Sequence, residues 1–472
     1  MVKKTSLSAF ASVSLVCCIE LVIGNVTRSS MRDPENQNFH GDLHNSRKLV
    51  YPRMDPNDCK AKDLSNTLHT RPGREDPEVI KEWAWYNDEV RRNATKIMNR
   101  NDYLDVPEND IFIRIGGNEN LNFVYWGSSL FRAEVSAVTP SKVFTDSIES
   151  PLEGHKWRFV DPVIKQRESP IKNTVTLADG ANYVIMSSLY LNQYQHILID
   201  HLGYLAYLRE KLPPDARFLL PQSSVGKHVE NILSAFDPQF RDRVVFLECF
   251  ESHACNYKIK IRNGGSITLF NPPMESRDPV LLSLVREWFL TTYVPPPQVQ
   301  TEKTVIYYMR QAGRETRHGR IMDPEQELRI IREIQHFMNR FNRPERLVVF
   351  DGTIPIKEQI DLFLSATVII GPHGGGLANL LFTSPGETCR ERPKVVEFIT
   401  SKATDSVQHG NPRYTFYYFF QSMPWIELHN VFFTEDSTGE VTLVNEENLY
   451  DALLNIFSRS KKNGKGHRAN DI

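Results

Sequence analysis

The stretch GPHGGGLANLLFTSPG, residues 371–386, has the residue types and spacing to hold an anion. A β-branched run, Thr367–Ile370, enters it and an apolar helix is predicted to leave it near Gly376. Gly374, Gly375 and Gly376 take away side chains where the backbone must come close to something, and they permit positive φ. A helix starting there aims its first N–H groups and its dipole back at the turn, the physical recipe for binding a phosphate or diphosphate. His373 adds a donor whose charge can change near neutral pH. Two other phosphate loops are excluded. A Walker loop needs GKS or GKT after the glycines, and a dinucleotide fingerprint from Gly374 needs Gly or Ala where Asn379 stands. The bland alternative is a plain tight turn between strand and helix.

Metal and redox chemistry are weaker readings. Cys249, His253 and Cys255 lie close in sequence but lack a second ligand pair, so a closed zinc site is not expected. Of six cysteines, Cys17 and Cys18 fall in an apolar N-terminal stretch. Cys59, Cys249, Cys255 and Cys389 suffice for up to two disulfides, whose pairing the sequence leaves open. No Asp-x-Asp occurs in the chain.

The elements that would position these groups alternate. Short β-like runs appear from Ile111, among them Phe123–Trp126, Lys156–Val160 and Tyr183–Met186. From 187 to 293 helices and strands alternate, with helices over Ile197–Leu212, Val225–Phe236 and Pro279–Tyr293. Pro295, Pro296 and Pro297 then mark a boundary. A second alternation follows: strands at Thr304–Met309, Arg346–Phe350 and Lys394–Ile399, helices at Pro324–Arg340 and Ile356–Ala366. This pattern implies an α/β fold in two lobes, residues 77–297 and 298–457, each with a parallel sheet. Residues 77–100 read as a helix with an aromatic patch, and 458–472 as a basic disordered tail.

Composition agrees with a packed protein: 472 residues, 40% hydrophobic and 24% charged. A net charge of −2 argues against a nucleic-acid binder. Residues 1–24 carry Lys3 and Lys4 before an apolar stretch, and read as a signal peptide or as an uncleaved signal anchor. Residues 25–76 are polar and read as a stem. Sequons at Asn25 and Asn93 fit a secretory route through endoplasmic reticulum or Golgi.

Three stretches resemble glycosyltransferase family 61. GPHGGGLANLLFTSPG is similar to its glycine turn, with Gly375 where Ala is frequent. VIYYMRQAGRETRHGRIMDPEQEL resembles its Tyr-x-x-Arg strand end followed by a second Arg, although Asp323-Pro324 stands where Asn-Glu is usual. NQYQHILIDHL resembles the helix opened by an aromatic residue, a His and an Asp. The resemblance implies a GT-B fold of two facing Rossmann-like lobes and inverting transfer from a UDP-sugar to a glycan or glycoprotein. Xylose and N-acetylglucosamine are the favoured sugars. A catalytically silent carbohydrate-binding protein of the same fold is the competing expectation.

Roles follow on that reading. Arg310 can clamp a diphosphate in bidentate fashion at a strand end, with Arg320, or else Arg314 or Arg317, assisting. His373, Gly374, Gly375, Gly376 and Asn379 complete the nucleotide-sugar site, and Glu397 is expected to accept from the ribose hydroxyls. His196 and Asp200, four apart on one helix face, are the candidate general bases. Arginine and backbone dipoles can stabilise the leaving diphosphate. No cofactor is then strictly required, and a divalent ion such as manganese would at most stimulate.

Overall fold

In the computed structural model the described residues are 67–69, 112–116, 120–126, 130–136, 173–178, 180–186, 194–223, 227–249, 256–260, 266–270, 279–310, 321–384, 386, 391–400, 423, 425–435 and 441–458. The expected targeting segment, the 77–100 helix, the Lys156–Val160 strand, Asn25, Asn93, Cys59, Cys255, Cys389 and the tail past 458 lie outside them. Among the described residues no helix is long and apolar enough to cross a membrane.

Three sheets organise the chain. The N-terminal half holds β2 (Phe112–Gly116), β6 (Asn182–Met186), β7 (Arg217–Ser223), β8 (Val244–Cys249) and β10 (Ser266–Phe270), in the order β2-β10-β6-β7-β8. All neighbours are parallel except β2. Beside it lies a four-stranded sheet of β3 (Asn120–Trp126), β4 (Leu130–Ser136), β5 (Asn173–Thr176) and β9 (Asn256–Lys260).

The C-terminal half is an eight-stranded sheet. Its inner strands are β11 (Thr304–Tyr308), β13 (Arg346–Phe350), β14 (Ala366–Pro372), β15 (Lys394–Thr400) and β16 (Glu427–Glu435). These run parallel in the order β16-β15-β14-β11-β13. At the other edge are β17 (Val441–Val444) and β12 (Ile321–Met322). β1 (Thr67–His69) also pairs with β16, in parallel. The stem expected over 25–76 therefore contributes a strand to the far end of the chain. Three polar-flanked residues carry too little period to announce a strand, and the pairing is made across the whole sequence.

Alternation along these strands sorts the core into two faces. Val305, Tyr307, Val368, Ile370, Val396 and Phe398 pack against the Pro324–Arg340 and Glu446–Ser458 helices. Ile306, Tyr308, Ile369 and Val395 face the other way, into a cluster that also contains Leu198, Leu202, Phe236, Trp288 and Phe289 of the N-terminal half. Buried residues of both halves thus join one apolar cluster. Phe289 meets Phe382 edge-on at 5.0 Å, and the Tyr293 hydroxyl donates to Asp361.

Local chemistry fixes the helices. Asp323 accepts from the Gln326 N–H at 2.7 Å and Pro324 opens the helix, so the departure from the family pattern is an N-cap. Asp237 caps the short Pro238–Arg241 helix through the Phe240 N–H at 2.9 Å. Its second oxygen accepts from Trp288 Nε1 at 2.7 Å, which anchors the Pro279–Thr292 helix. Replacing Asp237 with alanine removes a cap and strands a buried indole N–H. We expect Asp237→Ala to lower stability by about 2–3 kcal/mol in urea unfolding. A loss under about 0.5 kcal/mol would show that this carboxylate does not hold the helix.

Candidate active site

One row of residues crosses the C-terminal sheet on the face turned to the N-terminal half. Register places Tyr308 next to Phe350, Gly371 next to Glu397, Glu397 next to Asn430, and Asn430 next to Leu68. At Gly371 a Cβ would lie 2.6 Å from the Tyr308 carbonyl oxygen and 2.9 Å from its Cβ. The absent side chain makes room for tyrosine.

The Tyr308 ring then supports the glycine turn from below. The Gly376 N–H donates to its hydroxyl at 3.3 Å, and a Cβ on Gly376 would sit 2.4 Å from the ring. On Gly374 it would sit 3.2 Å from the hydroxyl. Gly375 differs: its nearest neighbour would be Gln195 Cβ at 3.5 Å, an ordinary contact. The glycines serve close approach and not the positive φ that the sequence allowed. Gly374 is extended at φ 172, and the positive-φ glycines among the described residues are Gly180 and Gly352. The helix that follows is also not α: Gly375–Phe382 winds as a 3-10 helix, with Leu377 N–H on the Gly374 carbonyl at 3.0 Å.

Side chains secure both ends of that helix. Trp425 Nε1 donates to the Leu380 carbonyl at 3.2 Å and Arg286 Nη1 to that of Leu381 at 3.1 Å. Arg286 also lies 4.8 Å above the Trp425 ring, and burial lowers its pKa. At the start, Arg310 Nη1 donates to the His373 carbonyl at 3.2 Å. A guanidinium on the lip of the turn is where the sequence placed it.

His373 and Glu397 form a buried pair. His373 Nδ1 stands 2.5 Å from Glu397 Oε1, with the two side chains 3% and 0% exposed. Burial pushes the Glu397 carboxyl well above the ordinary carboxylate range. The Glu397 carboxyl, expected to accept from a ribose, is engaged through Oε1 with His373. It sits inside strand β15 with no solvent access, because its position shares the inward face with Val395. Oε2 of Glu397 and both side-chain polar atoms of the adjacent Asn430 have no partner among the described residues.

Asn379, expected in the nucleotide-sugar site, uses its amide within the protein. It is fully buried, with Oδ1 accepting from the Tyr194 hydroxyl at 2.5 Å. Its Nδ2 donates to Gln359 Oε1 at 3.2 Å and to the Gly376 carbonyl at 3.1 Å. Tyr194 opens the helical segment that carries the candidate bases, so the two motifs touch. Burial raises the Tyr194 pKa, and its hydroxyl stays a donor. Gln195 lies against Gly375 and the buried His196 follows. The helix then widens: Ile197–His201 is a π turn, closed by Leu202 N–H on the Ile197 carbonyl. π turns recur at functional sites. Asp200 lies in that turn, and Arg320, Arg314 and Arg317 fall outside the described residues.

The structure thus brings Arg310, His373, the three glycines and the His196 segment together. It adds Tyr308 and Asn430, which sequence reasoning did not single out, and gives a partner to Tyr194, the aromatic residue of the NQYQHILIDHL motif. Tyr308 sits in the Tyr-x-x-Arg motif, but the motif's first tyrosine, Tyr307, points to the other face and donates to Glu327 at 3.1 Å. Strand alternation alone was the available signal. Among the described residues no group of His, Cys, Asp and Glu could hold a metal ion.

Comparison with known families finds one match. Residues 194–390 match the family model Glycosyltransferase 61. That span runs from Tyr194 through the glycine turn, and it bears out the resemblance drawn from the three motifs. The matched span therefore contains Tyr194, His196, Arg310, His373 and Asn379 together. Among curated proteins none matches the chain significantly. One similar solved structure is the Escherichia coli ADP-heptose heptosyltransferase II, at 7% identity and a TM-score of 0.31, covering 60% of this chain and 99% of that one. Another is the iron-containing dodecameric glycosyltransferase TibC of enterotoxigenic E. coli, at 13% identity and a TM-score of 0.25, covering 61% and 74%. TibC has also been solved in complex with ADP-D-β-D-heptose.

The packing under the turn gives a direct test. Gly376→Ala forces its methyl into the Tyr308 ring, and overpacking of this kind costs about 1–3 kcal/mol. Gly375→Ala should stay within about 0.5 kcal/mol of the parent. Thermal unfolding of the two variants side by side checks the order. Equal losses would mean that the turn does not rest on Tyr308.

Proposed function

We propose that the protein is an inverting glycosyltransferase that moves a sugar from a UDP-sugar to a glycan or glycoprotein in the lumen of the secretory pathway. The observation that carries this reading is Arg310, bonded across the lip of a glycine turn that belongs to the family-61 region. A fixed cation beside close-approaching backbone suits a diphosphate. The acceptor hydroxyl gives its proton to His196 or Asp200 as its oxygen attacks the anomeric carbon. The bond from that carbon to the diphosphate oxygen breaks on the opposite face, so configuration inverts. Negative charge then grows on the leaving UDP, where Arg310 and the His373 turn can stabilise it. Xylose or N-acetylglucosamine is the sugar we favour, with β-1,2-xylosyl transfer to N-glycans first, and metal is at most a stimulant.

Two measurements test this. Saturating UDP should raise the melting temperature in excess EDTA, because a ligand that binds only the folded state stabilises it by mass action. A shift with NAD and none with UDP would reject the donor class, and complete dependence on manganese would reject the metal-independent chemistry.

Arg310→Lys keeps the charge and loses the planar fork. It should cost about 2 kcal/mol or more, roughly 30-fold, and appear in kcat as well as in donor KM. A near-normal kcat would remove Arg310 from the diphosphate.

A further inference from the structure

The contact between Glu397 and His373 does more than fill space beneath the turn. We propose that Glu397 is a positioning residue for sugar transfer, acting through Nδ1 of His373 so that Nε2 carries a proton while charge develops on the leaving diphosphate. This rests on the functional reading above, and it gives Glu397 a role in place of ribose binding.

The argument is a count of protons in a buried pair. Glu397 is fully buried and His373 nearly so, and their heteroatoms are 2.5 Å apart. Two arrangements of the pair have no net charge. In one, a protonated Glu397 donates to Nδ1, and neutral His373 has its hydrogen on Nε2. In the other, the proton has crossed to Nδ1, leaving a carboxylate beside an imidazolium that also has a hydrogen on Nε2. Only the arrangement with net charge −1, a carboxylate accepting from Nδ1–H of a neutral ring, leaves a lone pair at Nε2. Burying that uncompensated charge is the costliest of the three.

The surroundings favour the neutral pair. Across the register from Glu397 stands Asn430, an uncharged amide, and on the other side Gly371 brings no side chain. His429 and Glu427 pair with each other on the opposite face of β16. From the end of β11, Arg310 bonds the main-chain carbonyl of His373 and not the Glu397 carboxylate. From the N-terminal half, the segment packed on the turn carries the titratable groups Tyr194, whose hydroxyl bonds Asn379, His196, Asp200 and His201. A donor at Nε2 helps an oxygen that becomes negative, whereas a lone pair repels it. As that charge grows, the shared proton can pass from Glu397 Oε1 to Nδ1. The ring becomes cationic with no proton gained from or lost to solvent.

The test is a double-mutant cycle in the full chain, with Glu397→Gln, His373→Ala and the pair together. Calorimetry with UDP and turnover of UDP-xylose, with UDP-N-acetylglucosamine as second donor, provide the readouts. Glutamine keeps the shape but cannot pass a proton. We expect Glu397→Gln to lower kcat about tenfold or more, to leave donor KM within about threefold, and to change the pH profile of kcat. In the His373→Ala background the same substitution should change kcat by less than about twofold. A kcat within about twofold of the parent with the same pH profile, or a full further loss in the His373→Ala background, overturns the proposal. Should Glu397→Gln fail to fold, Glu397→Asp takes its place, since its carboxyl is one methylene short of Nδ1, and the same outcomes decide. If the parent binds no UDP, the functional reading falls and this proposal with it. If the parent binds UDP and transfers sugar but the cycle is additive, only this proposal falls.

Discussion

A tyrosine ring pressed under a glycine turn is the constraint on which the site depends. Tyr308 occupies the volume that side chains at Gly371 and Gly376 would need, and its hydroxyl takes the Gly376 N–H. With the ring in place, the turn has few other paths, and the 3-10 winding of Gly375–Phe382 follows from its tight entry. The Arg310 guanidinium is then carried to the lip of the turn by the same strand that presents the ring. The guanidinium and the ring that supports the turn are neighbours in sequence, so a small number of residues sets the geometry.

The turn is also held from the other half of the chain. Asn379 is bonded by Tyr194 and the Leu381 carbonyl is taken by Arg286, while Trp425 of the turn's own half takes the Leu380 carbonyl. These bonds lie in an apolar environment, where a polar group without a partner is expensive and a satisfied one fixes position. The segment with His196 is therefore referenced directly to the glycine turn. The glycine turn and the His196 segment keep their spacing because one apolar cluster packs against both.

Much of this was legible in the sequence, and the exceptions have physical reasons. The Pro324–Arg340 helix and the Arg346–Phe350 strand have the bounds that their periodicity gave, because cap, proline and apolar spacing agree there. Arg310 and His373 were found through residue type. Glu397 was correctly placed on a strand, but its contact with His373 was not legible, since a single chain shows which face a carboxylate lies on only once its neighbours are known. Asn379 looked like a ligand contact because it follows glycines, yet its amide is spent within the fold. Tyr308 and Asn430 carried no signal of their own. Their importance comes from register between distant strands, and β16 and β17 were missed for lack of a clear pattern.

β1 has a practical side. Leu68 completes the row that runs through Asn430 to Glu397, so a tripeptide far toward the N-terminus borders the buried polar residues of the site. Anyone trimming the chain for expression would be tempted to cut just before the aromatic region at 77 and to discard everything ahead of it as spacer. Such a cut would unzip a strand from β16 and bare the backbone next to Asn430. The N-terminal boundary of a usable catalytic fragment lies ahead of Thr67.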